Sequence, residues 1–327
     1  TAVYVQIQPM AMTFATVVVA LRLLAILGDD CSVEDEELIP DVQLLQKHMH
    51  LPLADSTSET MEPSNSIFTD TQDHRSPQVD PSFDGLLPIE WVHVPKSGTS
   101  FLNTLLRIKG HCQNLPESGL TFEMQKTLDK EFPPEWNCDA SFLDTDRLWH
   151  TAIDIVPGFN EGKGRFMIMM RQPEQRILSE FNHFCQIKQN ADCVNQSVEE
   201  FVLKRSGAVT KMLTGHFSHT VTKVSAPPTR AQQTEATIRL QTGFSFVGIT
   251  DQWDLSICLF SFMFKQTCHS SQFLNTRPTK GDTSTDYDTS VLNGWRDPYD
   301  SELFDIAMVT FEANCKKYNI SESSCEP

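Results

Sequence analysis

The chain has 327 residues and a formal net charge of −17, enough for one α/β domain of about 200 to 250 residues with flanking segments. Acidic residues are concentrated in residues 28–88, which hold 14 Asp and Glu but only two basic residues, Lys47 and Arg75. Residues 89–327 are nearly neutral by comparison. This balance argues against a general nucleic-acid-binding protein, which needs net positive charge to displace counterions from phosphates.

An apolar stretch runs from Met10 to Leu27 and is interrupted by Arg22. Its 18 residues are at the lower limit for crossing a hydrocarbon core of about 30 Å, and a charged residue within it opposes insertion. Residues 1–27 are therefore predicted to be a signal-anchor or the apolar region of a signal peptide, both of which lead to the secretory pathway. An amphipathic helix packed on the domain is the alternative.

The acidic segment, residues 28–88, is rich in Ser, Thr, Asp, Glu and Pro. Such a composition buries too little apolar surface to offset the entropy lost on ordering. We therefore predict a largely disordered stem over residues 28–88. The folded domain is predicted over residues 89–327, which are long enough to bury a full core.

The nine cysteines form no C-x-x-C pair, and no H-x-x-x-H pair occurs, so the sequence predicts no metal site. They fall instead into near neighbours, which predicts up to four disulfides in an oxidising compartment; reduced, buried thiols are the alternative. The pairs are Cys112 with Cys138, Cys185 with Cys193, Cys258 with Cys268, and Cys315 with Cys325, and Cys31 is left over. Two N-x-[ST] sequons, at Asn195 and Asn319, are also typical of a secreted protein.

The first strand-to-helix unit begins with the β-prone run Ile89–Val94, and a helical apolar face begins at Phe101. A helix N-terminus attracts phosphate through unpaired N–H groups and the helix dipole. Between strand and helix, Gly98 allows close backbone approach, Lys96 adds a positive charge, and three hydroxyl groups can donate, those of Ser97, Thr99 and Ser100. An ordinary turn with a solvated lysine is the alternative. The loop is not a Walker A motif, because Lys96 precedes Gly98, and an ATP-splitting P-loop enzyme is therefore disfavoured.

The second unit is the apolar run Phe166–Met170, typical of a parallel strand buried on both faces. Arg171 follows the strand, and Pro173 stands where a helix would start. Arg171 and Ser179 can together bind a second phosphate, since a guanidinium group binds it with two hydrogen bonds and a hydroxyl adds a third. Either residue alone is more often structural. The core face of this helix is predicted to consist of Ile177, Leu178, Phe181 and Phe184, with Arg176 and Ser179 off that face.

A third unit comprises a strand at Phe244–Ile249, an N-cap at Thr250-Asp251, and a helix whose apolar residues are Leu255, Cys258, Leu259 and Phe262. A last helix is predicted at about Pro298 to Tyr318, and residues 214–234 are predicted to be a loop. Strands that alternate with helices predict an α/β fold with a parallel sheet. Ligands in such folds bind at the carboxyl ends of the strands.

Taken together, HVPKSGTSFLNTLL (residues 93–106) and MMRQPEQRILSEFNHF (residues 169–184) resemble the two nucleotide-binding signatures of sulfotransferases that use 3′-phosphoadenosine 5′-phosphosulfate. Three further blocks, TKMLTG (210–215), FSFVGITDQWDLSICLF (244–260) and ELFDIAMVTFE (302–312), are similar to those of Golgi glycan sulfotransferases, most of all the heparan sulfate 6-O-sulfotransferase type. The resemblance spans roughly residues 89–318. It implies a P-loop-like three-layer sandwich with a central parallel sheet and helices on both faces.

The resemblance also implies the site residues. It assigns the 5′-phosphosulfate to Lys96, Ser97, Gly98, Thr99, Ser100 and Phe101, and the 3′-phosphate to Arg171 and Ser179. In that family a histidine between the first motif and the second strand is the base, and His150, in DRLWHTAIDI, is the best match. His111 and Glu123 remain competitors.

The implied reaction transfers a sulfuryl group from the donor to a hydroxyl of a glycan acceptor. Lys96 would neutralise charge on the leaving phosphate, so no metal is needed. The implied location is the Golgi lumen, as a type II single-pass membrane protein if the N-terminal segment is retained, or outside the cell if it is cleaved. Two alternatives remain, a soluble sulfotransferase for small alcohols and a nucleotide-binding relative without turnover.

Overall fold

Three parallel strands form a sheet in the computed structural model, which describes Phe83, residues 85–128, 132–154, 158–191, 193–217, 226–276 and 286–321, and Ser324. Strand β1 is Glu90–Val92, β2 is Phe166–Met170, and β3 is Phe244–Ile249. Their order in the sheet is β1–β2–β3, and both neighbouring pairs are parallel. The predicted α/β fold with a parallel sheet is therefore confirmed.

The described α-helices follow or connect these strands. They are α1 (Leu102–Leu106), α2 (Phe122–Thr127), α3 (Gly158–Gly162), α4 (Pro173–Phe181), α5 (Val198–Arg205), α6 (Ala208–Leu213), α7 (Arg230–Gly243), α8 (Trp253–Met263) and α9 (Ser301–Tyr318). A π-helical turn, Asn182–Ile187, extends α4. Short 3-10 helices are Thr99–Phe101, Pro134–Trp136, Thr145–Arg147, Thr250–Gln252, Ser270–Phe273 and Thr289–Leu292.

An aromatic cluster anchors the first helix to the sheet. The Phe101 ring stacks on the ring of Phe246 in β3, with the centroids 5.5 Å apart, and meets Phe260 of α8 edge-on at 5.5 Å. Such pairs stabilise a fold by roughly 0.5 to 1.5 kcal/mol each beyond the burial of their surface. The start of α1, and with it the loop that precedes it, is therefore fixed against β3.

The folded unit begins before the predicted boundary at residue 89. Phe83 is fully buried, and its ring packs against Phe260 and stacks on Phe264. The average composition of residues 28–88 does not reveal this packing, because it rests on a single aromatic residue, Phe83. Residues 1–82, including the apolar stretch Met10–Leu27, lie outside the described residues.

Helix α7 begins inside the segment predicted to be a loop, so the end of that prediction is wrong. Thr229 and Gln232 form a capping box, in which each side chain accepts a hydrogen bond from the backbone N–H of the other. The helix has little apolar periodicity, because one of its buried contacts is made by a charged residue. The buried Arg239 donates to the carbonyl oxygen of Leu213 at 2.7 Å.

Two details of the third unit also differ from the prediction. Thr250 and Asp251 form a 3-10 turn, and Gln252 is the residue that precedes α8, without a side-chain capping bond. Phe262, one of the apolar residues named for this helix, is half exposed, whereas Cys258 and Leu259 are fully buried.

Two of the predicted disulfides are confirmed: Cys112–Cys138 and Cys185–Cys193, with Cα atoms 4.0 and 5.2 Å apart. They indicate an oxidising environment, lumenal or secreted. The pairing of Cys258 with Cys268 is wrong: Cys258, fully buried within α8, is disulfide-bonded, whereas Cys268 lies beyond the helix with a free thiol. The pairing of Cys315 with Cys325 is also wrong, because Cys315 is a free, buried thiol.

Within the described part of the chain, no helix has the length and hydropathy that a membrane span requires. Both sequon asparagines, Asn195 and Asn319, are exposed, so they are accessible for glycosylation.

Candidate functional site

The carboxyl ends of the three strands bring the predicted site segments together. β1 leads into the loop of residues 95–100, β2 leads into Arg171, and β3 leads into Asp251. The Nη1 atom of Arg171 lies 3.4 Å from the backbone carbonyl oxygen of Lys96, to which it donates. The two motifs therefore adjoin, as expected for ligand-binding loops at one edge of a parallel sheet.

The loop between β1 and α1 has an unusual backbone. Lys96 and Gly98 both have positive φ angles, 63° and 78°. A Cβ atom on Gly98 would stand 2.8 Å from the ring of Trp253 and 3.1 Å from the methyl group of Thr250, closer than side chains pack. Only glycine fits this position, and strained conformations of this kind at a non-glycine residue such as Lys96 are concentrated at functional sites.

The loop hydroxyl groups have three different environments. Ser97 is buried, and its Oγ atom makes no hydrogen bond within the described part of the chain. Thr99 Oγ1 lies 2.9 Å from Nε2 of His93, and Ser100 Oγ lies 3.0 Å from Oγ1 of Thr276. A buried hydroxyl without a partner is costly, so Ser97 is the loop hydroxyl whose surroundings best fit an added acceptor such as a phosphate oxygen.

Phe101 differs from the other predicted phosphosulfate residues. Its side chain lies in the aromatic core, and its backbone N–H donates to the carbonyl oxygen of Gly98 at 2.9 Å. Both parts of the residue are thus used inside the protein. Phe101 therefore anchors the loop to the core and presents neither its side chain nor its backbone N–H to a ligand.

Arg171 and Ser179 share a neighbour, Tyr287. The guanidinium carbon of Arg171 lies 5.6 Å from the centroid of the Tyr287 ring, within the range of a cation–π contact. The Tyr287 hydroxyl donates to Ser179 Oγ at 3.5 Å. Gln175 holds Tyr287 in place, because its side-chain amide both donates to the Tyr287 carbonyl at 2.9 Å and accepts from the Tyr287 N–H at 2.7 Å.

Burial shifts the pKa values of two charged residues at this end of the sheet, Arg171 and Asp251. It lowers the pKa of Arg171, although Asp251, Tyr287 and Asp286 oppose the shift. Burial also raises the pKa of Asp251, and Arg171 opposes that shift. A guanidinium group with this little water around it interacts strongly with any anion that reaches it.

A buried ion-pair network fixes the helix that carries Ser179. Glu180 accepts from Arg176 at 2.9 Å and from Arg205, and all three side chains are buried. Burial alone would raise the pKa of Glu180, but Arg205 and Arg176 outweigh it and lower that pKa. Arg176 and Ser179 were predicted to lie off the core face, but both are buried. Arg176 is tolerated there because the Glu180 carboxylate and the carbonyl oxygen of Arg205 accept its hydrogen bonds.

His150 lies against the first motif. Its Nδ1 atom is 2.7 Å from the backbone carbonyl oxygen of His93, and the two imidazole centroids are 4.2 Å apart. His93 is the residue directly after β1. The His150 backbone is left-handed, with φ 56°. Like Lys96, His150 is thus a predicted site residue with the kind of strained backbone that is concentrated at functional sites.

The competitors for the base have other surroundings. His111 is buried, stacks on Phe142 at 5.1 Å, and meets Phe132 edge-on. Burial lowers its pKa to about 4. Glu123 is exposed in the first turn of α2. The contacts of His111 are with core aromatic rings, so it is a structural histidine.

Four residues of this site were missed from the sequence: His93, Trp253, Thr276 and Tyr287. His93 stands inside the first motif, and its place immediately before the loop was a signal that could have identified it. The other three reach the site only through tertiary contacts, and no local pattern marks them. No group of His, Cys, Asp and Glu able to hold a metal ion occurs among the described residues.

Comparisons with protein-family models, with curated proteins and with solved structures find no match to this chain.

Proposed function

We propose that this chain is a sulfotransferase that moves a sulfuryl group from 3′-phosphoadenosine 5′-phosphosulfate to a hydroxyl group of a glycan. The observation that carries the proposal is the contact of Arg171 with the Lys96 carbonyl oxygen, 3.4 Å long. It joins two segments, 75 residues apart, whose residue types each suit a phosphate group. A nucleotide with phosphates at two positions is a ligand that both segments can bind at once.

Each part of the loop would have its own role in this reaction. Lys96 would place positive charge by the bridging oxygen, and Gly98 would let the backbone approach the phosphosulfate. The buried Ser97 hydroxyl would donate to it. Arg171, with Ser179 and Tyr287 close by, would bind the 3′-phosphate.

The chemistry is an in-line displacement at sulfur. The acceptor hydroxyl gives its proton to His150 as its oxygen bonds to sulfur, and the bond from sulfur to the bridging phosphate oxygen breaks. The products are the sulfate ester and 3′-phosphoadenosine 5′-phosphate. The Nδ1 atom of His150 faces a carbonyl oxygen, which can only accept, so Nδ1 carries the proton of the neutral ring and Nε2 has the lone pair that a base needs.

We expect the sheet and its helices to form a P-loop-like three-layer sandwich, and the protein to act in the Golgi lumen. The disulfides Cys112–Cys138 and Cys185–Cys193 support an oxidising compartment of that kind.

The test is transfer of radiolabelled sulfate from the donor nucleotide to a panel of acceptors: desulfated heparan, chondroitin, a complex-type oligosaccharide and a steroid alcohol. The proposal predicts label on at least one glycan and none on the steroid. Label on the steroid alone would favour a sulfotransferase for small alcohols. Nucleotide binding without any transfer would favour a relative without turnover, and both results would contradict the proposal.

A further inference from the structure

His93 connects the two parts of the candidate site through three hydrogen bonds. Its Nδ1 atom lies 2.7 Å from the carbonyl oxygen of Leu148, and its Nε2 atom lies 2.9 Å from the Thr99 hydroxyl. Its own carbonyl oxygen accepts from Nδ1 of His150. Thr99 belongs to the predicted phosphate loop, and Leu148 is two residues before the candidate base.

The hydrogen-bond partners fix the tautomer of His93. A carbonyl oxygen can only accept, so Nδ1 is the protonated nitrogen that donates to Leu148. In the neutral ring, Nε2 then accepts the proton of the Thr99 hydroxyl. Thr99 is thereby held in one orientation, with its proton directed to His93, so it orders the loop instead of donating to a ligand in this state.

The His93 ring is also held in position by stacking. It lies 4.1 Å from the Trp91 ring system at an interplanar angle of 11°, and only 1% of its surface is exposed. A phenylalanine would stack in the same way. A phenylalanine would lack the two ring nitrogens of His93, each of which is hydrogen-bonded to a different segment.

We propose that His93 is a positioning residue that couples the phosphate loop to the base: Nε2 orders the loop through Thr99, and Nδ1 holds the His150 segment through Leu148. The proposal rests on the proposed function above. Because His150 has a strained left-handed backbone, its segment needs such an external restraint to keep the imidazole in place.

Two conservative substitutions separate the nitrogens. His93→Asn places an amide near the position of Nδ1 and loses the bond to Thr99. His93→Gln places an amide near the position of Nε2 and loses the bond to Leu148. His93→Phe keeps the stacking and loses both bonds.

Two quantities are measured for each variant of the full chain: the dissociation constant of 3′-phosphoadenosine 5′-phosphate and the turnover number at saturating donor. We expect His93→Asn to weaken nucleotide binding roughly 2- to 10-fold, the worth of one hydrogen bond, with turnover within about 3-fold of wild type. We expect His93→Gln to keep nucleotide affinity within about 2-fold and to lower turnover roughly 10- to 100-fold, as expected for a misplaced catalytic group. His93→Phe should show both losses.

A residue that only packs would change both quantities in parallel. Parallel losses in His93→Asn and His93→Gln, or no loss in either, would therefore overturn the proposal. The unfolding midpoint of each variant, measured beside its dissociation constant and turnover number, identifies any variant whose losses come from misfolding. For such a variant, the double-mutant cycle with Thr99→Val decides whether His93 orders the loop.

A double-mutant cycle with Thr99→Val uses nucleotide binding alone. If His93 acts through Thr99, His93→Asn and Thr99→Val together should weaken binding no more than either does singly; additive losses would overturn the proposal. Wild type that binds the nucleotide but transfers no sulfate would refute the proposed function, and this cycle would still decide whether His93 orders the loop. Wild type that does not bind the nucleotide would overturn both.

Discussion

The guanidinium group of Arg171 donates a hydrogen bond to the backbone carbonyl oxygen of Lys96, across 75 positions of the sequence. Because the acceptor is a backbone atom, this contact does not depend on the Lys96 side chain. Arg171 therefore has two roles: it holds the loop after β1 and presents positive charge at the end of β2. The first role is visible in the structure, and the second is part of the proposed function.

Replacement of His150 tests the assignment of the base. We expect His150→Ala to lower sulfate transfer by roughly 10² to 10⁴ fold, the usual worth of general-base catalysis, and to leave nucleotide affinity nearly intact. The matched control is His111→Phe, since His111 lies among core aromatic rings and should be dispensable for transfer. Initial rates and nucleotide dissociation constants check both variants. The reverse pattern, with activity lost in His111→Phe alone, would move the role of base to His111.

Gly98 should tolerate alanine less well than a glycine with the same backbone conformation. Gly98 and Gly294 have φ angles of 78° and 79°, but only Gly98 is crowded, by Trp253. Each alanine substitution costs about 1 to 2 kcal/mol for the left-handed backbone, and Gly98→Ala should cost roughly 1 to 3 kcal/mol more for the contact. Denaturant unfolding of the two variants measures the difference. Equal losses would mean that the Trp253 ring moves aside at little cost.

The disulfide Cys185–Cys193 closes a short loop after α4, and its removal should destabilise the domain. We expect the double replacement of both cysteines by serine to lower the free energy of unfolding by roughly 2 to 5 kcal/mol. Cys268→Ser is the control, since that thiol is free and should change stability by about 0.5 kcal/mol or less. Both are measured by urea unfolding. A double variant as stable as Cys268→Ser would show that the bridge contributes little to the fold.

His111 should make the protein sensitive to acid. Burial lowers its folded-state pKa to about 4, whereas the unfolded chain takes up a proton at about pH 6.5. Stability from this residue is therefore present above pH 6.5 and is lost as the pH falls towards 4, by up to about 3 kcal/mol. In His111→Phe this loss should be absent. The free energies of unfolding of both proteins at pH 7 and pH 4.5 give the comparison, and an identical drop in the two would contradict the assignment.

The sequence was sufficient to predict the three strands because each is a short apolar run that precedes a small-residue or charged loop. The pattern of strands also predicted that the loop of residues 95–100 and Arg171 lie at the same edge of the sheet, since the carboxyl ends of parallel strands lie together. Helix α7 was missed because its contact with Leu213 is made by the buried Arg239, which apolar periodicity does not register.

The environment of each side chain within the site was not predictable. Residue type alone cannot tell that the Thr99 hydroxyl is bonded to His93, that Ser100 is bonded to Thr276, or that Phe101 lies in the core. Two hydrogen bonds with Gln175, 112 positions away in the sequence, help to hold Tyr287 beside Arg171. Such contacts depend on the folded arrangement of loops and not on local pattern.

Titration calorimetry of 3′-phosphoadenosine 5′-phosphate with wild type, Arg171→Ala and Arg230→Ala tests whether Arg171 binds the 3′-phosphate. Arg230 is an exposed arginine paired with Glu302 on the surface, so its loss serves as the control for a change in net charge. We expect binding to wild type, a similar dissociation constant for Arg230→Ala, and at least roughly 10-fold weaker binding for Arg171→Ala, the minimum worth of a hydrogen bond between charged groups. Equal affinities in all three proteins, or no binding to wild type, would contradict this role of Arg171.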